Sequence, residues 1–106
     1  MQKLVGSRFE LTVSDPWEFV TNRGANFSGV VAGVEGDSLI LTLESPIDYE
    51  AIHAEKLLAS LRHEGRGFRS SEAVAVSIIP IAKGYSPVEA RAKWRGWSLV
   101  GVLAVG

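Results

Sequence analysis

From residue 8 to residue 13 polar and apolar side chains alternate, and Phe9, Leu11 and Val13 fall on one face. A period of two over six residues predicts a half-buried β-strand. Residues 26–34 and 38–44 carry the same signal, with Leu39, Leu41 and Leu43 together on one face of the second run. The connection between them, Glu35-Gly36-Asp37, is a short glycine-containing turn of the hairpin kind. Gly29 and Gly33 predict a bend or a close approach of two backbones, as the corners of small barrels need. Residues 72–82 form an almost continuous apolar run rich in Val and Ile. Such a run reads as a strand covered on both faces or packed on another chain, and Pro80 puts its last part at an edge or bulge. Residues 98–105 make a closing strand.

One local pattern occurs three times between these runs: Asp15-Pro16-Trp17-Glu18, Ser45-Pro46-Ile47-Asp48 and Ser86-Pro87-Val88-Glu89. Each offers a capping side chain, a proline suited to the first helical position and a carboxylate able to reach back to the cap. The first predicts a short helix closed by Asn22 and Gly24, and the third a helix that stops after Trp94 at Gly96. After the second, Ile47, Ala51, Ala54, Leu58 and Leu61 recur at four, three, four and three, which predicts an amphipathic helix to about Gly65. Glu50 interrupts that stripe. Leu57, Ala59 and Leu61 against Lys56, Leu58, Ser60 and Arg62 also satisfy the two faces of a strand, so residues 46–63 favour the helix and leave the strand open.

These elements predict a mainly β protein, α+β at the margin: a small antiparallel barrel of five to six strands with one to three short helices, in one domain over residues 1–106. Five strands with a helix between the third and fourth follow an OB-like order, while a long first loop and a tight hairpin suit an SH3-like barrel. A chain of 106 residues that is 46% apolar and 22% charged has room for one core and no second domain. The absence of cysteine removes disulfides, thiolate catalysis and zinc sites built on sulfur. Arg8 and Glu10 interrupt the N-terminal stretch, so no apolar leader core is present, and the longest apolar runs fall short of the ~20 residues of a membrane span. The expectation is a soluble, cytoplasmic protein without a membrane partner, in which the sequon Asn26-Phe27-Ser28 arises by chance.

Catalytic chemistry is thinly supplied. His53 and His63 would lie roughly 80° apart and nearly three turns apart on one helix, too far to share a metal. His63-Glu64 lacks the second histidine of a zinc helix, and Asp15 and Glu18 already have capping roles. Gly65-Arg66-Gly67 lacks the third glycine of a dinucleotide loop. No catalytic residue, metal site or cofactor is therefore expected, and an enzyme is the least favoured class.

Charge is distributed unevenly. Residues 1–50 hold three Lys/Arg against eight Asp/Glu, and residues 51–106 hold eight against four, within a net charge of −1. The positives gather at Arg62, Arg66 and Arg69, and again at Lys83, Arg91, Lys93 and Arg95, near Phe68, Tyr85, Trp94 and Trp97. If both groups fold to one side they form a basic, aromatic strip of the kind that binds single-stranded nucleic acid. Otherwise they are a solvated helix face or an attraction between oppositely charged halves. In Lys93-Trp94-Arg95-Gly96-Trp97 the second indole shares the face of Leu99 and Leu103 and is expected in the core. Trp94 is expected at the surface with an arginine stacked on it, and Trp17 anchoring the first loop on the barrel mouth. The favoured function is a non-enzymatic binding module of unknown ligand using Trp17, Arg62, Arg66, Arg69, Arg91, Trp94 and Arg95, with a protein partner or self-association ahead of nucleic acid. The alternatives are a homo-oligomeric assembly subunit that associates through the apolar strand 73–82, and single-stranded nucleic-acid binding.

Overall fold

The computed structural model describes residues 2–63 and 67–106. After a single 3-10 turn at Gln2–Leu4, the chain runs through β1 (Arg8–Asp15), α1 (Trp17–Arg23), β2 (Asn26–Glu35), β3 (Ser38–Tyr49), β4 (Ile52–Leu61), β5 (Ala73–Ile81), α2 (Pro87–Lys93) and β6 (Leu99–Val105). Each strand pairs antiparallel with its neighbour in the chain, and β6 returns to β1, closing a six-stranded barrel. We call the end where β1, β3 and β5 finish the upper end.

The alternation seen in the sequence is the wall of this barrel. Phe9, Leu11 and Val13 of β1, Leu39 and Leu41 of β3, Leu57 and Ala59 of β4, Val76 and Ile78 of β5, and Leu99 and Leu103 of β6 point inward and are buried. At two inward positions no side chain fits. A Cβ on Gly29 would stand 1.9 Å from the Thr42 carbonyl oxygen, and one on Gly101 would stand 2.4 Å from that of Thr12. The close backbone approach expected at Gly29 is real, and a bulge in β2 between Val31 and Gly33 supplies the bend. Pro80 sits opposite Leu57 on the β4 side, and the β5–β6 ladder has already ended at Ile78–Leu99. Its missing N–H therefore costs no rung, as expected for a locally free edge.

The helix favoured for residues 46–63 is not formed. Residues 38–49 and 52–61 are the two arms of a hairpin, with Tyr49 paired to Ile52, Asp48 to His53 and Ile47 to Ala54. Between Thr42 and Ile47 four residues of β3 face the single Glu55 of β4. Ser45-Pro46 falls in this wide bulge rather than at a helix start. The four-three spacing arose from two unrelated environments: Ile47 and Ala54 face the main core, while Leu58 points outward and is buried in a second, smaller cluster with Ile81 and Ala90.

That second cluster is the underside of α2. Register partners Ile40, Leu58 and Ile79 form an apolar row across the outer wall of β3, β4 and β5, and Ala90 packs on it. The helix begins as its sequence predicts. Glu89 N–H donates to Ser86 Oγ at 3.1 Å, and Ser86 N–H donates to Glu89 Oε1 at 2.9 Å. The Ser86 backbone N–H, and after it the Ser86 hydroxyl, hold the Glu89 carboxyl below its usual pKa. By contrast, α1 has no side-chain cap: Asp15 ends β1, and Pro16 precedes the first helical turn. Among the described residues no helix is long and apolar enough to cross a membrane.

Candidate interaction surface

The three tryptophans come from distant parts of the chain, yet all lie at the upper end. Trp17 opens α1 directly above the end of β1, and Trp94 and Trp97 bracket the turn that leads into the start of β6. Asp15 pairs with Val100, which ties these two segments to neighbouring strands. Trp17 is 73% exposed, an unusual state for an indole. It therefore does not anchor its loop; that work falls to Phe19, 1% exposed, whose ring meets Tyr49 edge-on at 5.5 Å and Phe27 at 5.9 Å.

The expectation for Lys93 to Trp97 is inverted. Trp94, the C-cap of α2, packs partly buried against the main core, whereas Trp97 is 36% exposed. The strand alternation that would have turned Trp97 inward begins only at Leu99. Trp97 instead sits in a tight turn, donating its N–H to the Trp94 carbonyl at 3.0 Å, with Gly96 at φ 79° between them. The two indoles stack at 4.7 Å with 38° between their planes. The cation over Trp94 is Lys93, not Arg95: its Nζ lies 5.7 Å from that ring and 5.2 Å from the ring of Tyr85. Such contacts hold a basic group over a ring face. Tyr85 and Val88 extend the exposed apolar area, and Arg95 is exposed beside it.

Three other arginines of the predicted strip, Arg62, Arg69 and Arg91, do not join this surface. Arg62 follows the lower end of β4 and donates from Nη1 to Ser77 Oγ at 3.2 Å on the outer wall. Arg69 is exposed in the segment before β5, also at the lower end. Arg66 lies outside the described residues. Arg91 points down the outer wall, where Nη1 pairs with Glu35 Oε2 and Nη2 donates to Ser38 Oγ at 3.0 Å. Ser38 is 3% exposed and shares a further hydrogen bond with Ser60 at 2.7 Å. The opposite charges of the two halves of the chain thus meet here in an ion pair. The sequence held no sign of this network, since Glu35 and Arg91 are 56 residues apart.

The titratable groups are dispersed. His53 and His63 flank opposite ends of β4, and His53 Nδ1 lies 2.5 Å from Asp48 Oδ1, its cross-strand partner. Among the described residues no three His, Cys, Asp or Glu side chains converge as metal ligands would. Glu44 has its carboxyl held below the usual range by a hydrogen bond from Ser28 Oγ and by Arg8, a network on the outer wall. The apolar face that the run 73–82 was expected to offer another chain continues onto β6, which sequence reading missed. The outward positions of β5 and β6 (Ala73, Ala75, Ser77, Val100, Val102 and Ala104) carry no charge, and Val102 is 47% exposed. Comparison with protein-family models, curated proteins and solved structures finds no match for this chain.

Proposed function

We propose that this protein is a non-enzymatic interaction module that engages a protein partner through its upper end, with Trp17, Trp94, Trp97, Tyr85, Lys93 and Arg95 as the contact surface. The observation that carries this reading is the exposure of Trp17 at the same end as the stacked Trp94–Trp97 pair. Exposed aromatic anchors with basic neighbours are the residues that most often dominate protein–protein binding energy. The separation of Arg62 and Arg69 from this end, and the commitment of Arg91 to Glu35, favour a protein over a nucleic-acid strand, which needs a continuous basic track. The cysteine-free composition supports a reducing, cytoplasmic setting as part of the same proposal.

All three indoles lie at the proposed surface, so intrinsic fluorescence reports on it directly. Peptides selected from a displayed library should quench or shift that emission on titration, and a Trp17→Ala/Trp97→Ala variant should lose at least about tenfold in affinity. A salt-sensitive oligothymidine complex that depends on Arg62 and Arg69 would replace this reading with the nucleic-acid one.

A second reading, an assembly subunit, draws on the uncharged outer wall of β5 and β6. Part of the apolar run 73–82 is covered by α2 at Ile79 and Ile81, so the available face is Ala73 and Ala75 with Val100, Val102 and Ala104. Depletion of charge marks the centre of many interfaces. Light scattering that gives twice the 11.4 kDa chain mass, and a return to the monomer mass on Val102→Asp, would favour this reading.

A further inference from the structure

We infer that the segment carrying α2 is a hinged strap on the barrel, seated by the Arg91 latch, and that its seating controls the shape of the aromatic end. Four observations converge on it. The helix has seven residues, too few to persist in isolation, so its order depends on what it touches. Its only fully buried residue is Ala90, and the apolar row beneath it forms a cluster separate from the main core. Among the described residues the polar tie from the helix to the wall is one side chain, Arg91, bonded to Glu35 and Ser38 of the β2–β3 hairpin. Finally, the segment lies between Gly84 at φ 86° and Gly96 at φ 79°, and both glycines stand in open space. Such positions absorb a backbone rotation without a clash, as hinge residues must.

The strap and the aromatic surface are mechanically one piece. Trp94 is the C-cap of α2, its N–H bonded to the Ala90 carbonyl at 3.0 Å, and it stacks on Trp97 across the Gly96 hinge. Lifting α2 draws Trp94 from the rim of the core, parts it from Trp97 and uncovers Ile40, Leu58, Ile79 and Ile81. Arg91 is thus a positioning residue for the surface; Glu35 and Ser38 support it from the hairpin, and Ser60 of β4 supports Ser38. The latch is an ion pair with side chains 43% and 31% exposed, so ionic strength and charge changes at either end weaken it.

The consequence for binding rests on the function proposed above, but the motion is testable without any ligand. In native-state hydrogen exchange of the whole chain, amides of residues 90–94 should exchange faster than those of β5. Arg91→Ala and Glu35→Ala should accelerate them by a further factor of roughly five to ten and leave β5 unchanged. The double exchange Glu35→Arg/Arg91→Glu should restore protection. One molar salt should accelerate these amides in the parent and leave Arg91→Ala unaffected. In a Trp17→Phe background the same variants should shift the remaining indole emission to the red. Exchange of α2 in step with β5 in every variant would overturn the inference, as would α2 rates that ignore both substitutions. Far-UV circular dichroism distinguishes local release from a variant that has failed to fold.

Discussion

Two hairpins in this barrel have the same connection and different chemistry. Between Glu35 and Ser38 the turn is Gly36-Asp37, with Gly36 at φ 59°. Between Tyr49 and Ile52 it is Glu50-Ala51, with Glu50 at φ 53°. The left-handed region costs a residue with a side chain about 1–2 kcal/mol, and glycine very little. The first hairpin therefore announces itself locally, whereas the second is imposed on its turn by its arms. Ile47 and Ile52 are 1% and 5% exposed, and only the observed register buries both. A turn is thus written either in its own residues or in those of the strands that flank it, and only the first kind can be read from a short window.

This contrast can be broken most severely at Leu57. It lies off the helical stripe of residues 47–61, yet it is fully buried in the wall of β4. Leu57→Ala should cost about 3 kcal/mol in urea unfolding, within the usual span for buried leucine. A loss under 1 kcal/mol would mean that strand burial does not organise this hairpin. Gly36→Ala should cost about 1 kcal/mol in the same assay, because the turn that relies on glycine loses it. Glu50→Gly should have the opposite sign, a gain of about 0.5–1 kcal/mol, since relief of the left-handed strain outweighs the added freedom of the unfolded chain. Ala51 belongs to the helical stripe but stands exposed in the turn, and Ala51→Asp should fall within about 0.5 kcal/mol of the parent. Thermal melts of the four variants should rank in the same order.

The same division explains what the sequence could disclose elsewhere. β1, β2, β6 and the first part of β3 were readable because burial of one face imposes a period of two, and β5 because α2 covers its outward Ile79 and leaves an apolar run rich in Val and Ile. In β4 the signal was blurred: α2 covers the outward Leu58, and the bulge opposite Glu55 shifts the phase, so apolar residues fall on both faces. The box at Ser86 was readable because both of its bonds are local, while Ser45-Pro46-Ile47-Asp48 has the same residue types inside a strand whose partners lie further along the chain. At the aromatic end, Trp94 and Arg95 were rightly placed at a turn. The position of Trp97 depended on where β6 starts, which no local signal marks. The fate of Arg91 depended on Glu35, a contact that exists only once the barrel has closed.

Gly29 and Gly101 have one more consequence. Where larger barrels keep a lumen for cargo, this one brings the carbonyl oxygens of Thr42 and Thr12 into the space that two inward side chains would otherwise fill. Among the described residues the centre of the barrel is packed with its own side chains: Phe9 is 1% exposed, and Leu39, Leu41, Leu57, Ile78 and Leu103 are 0% exposed. The function proposed above accordingly assigns recognition to the outside of the molecule.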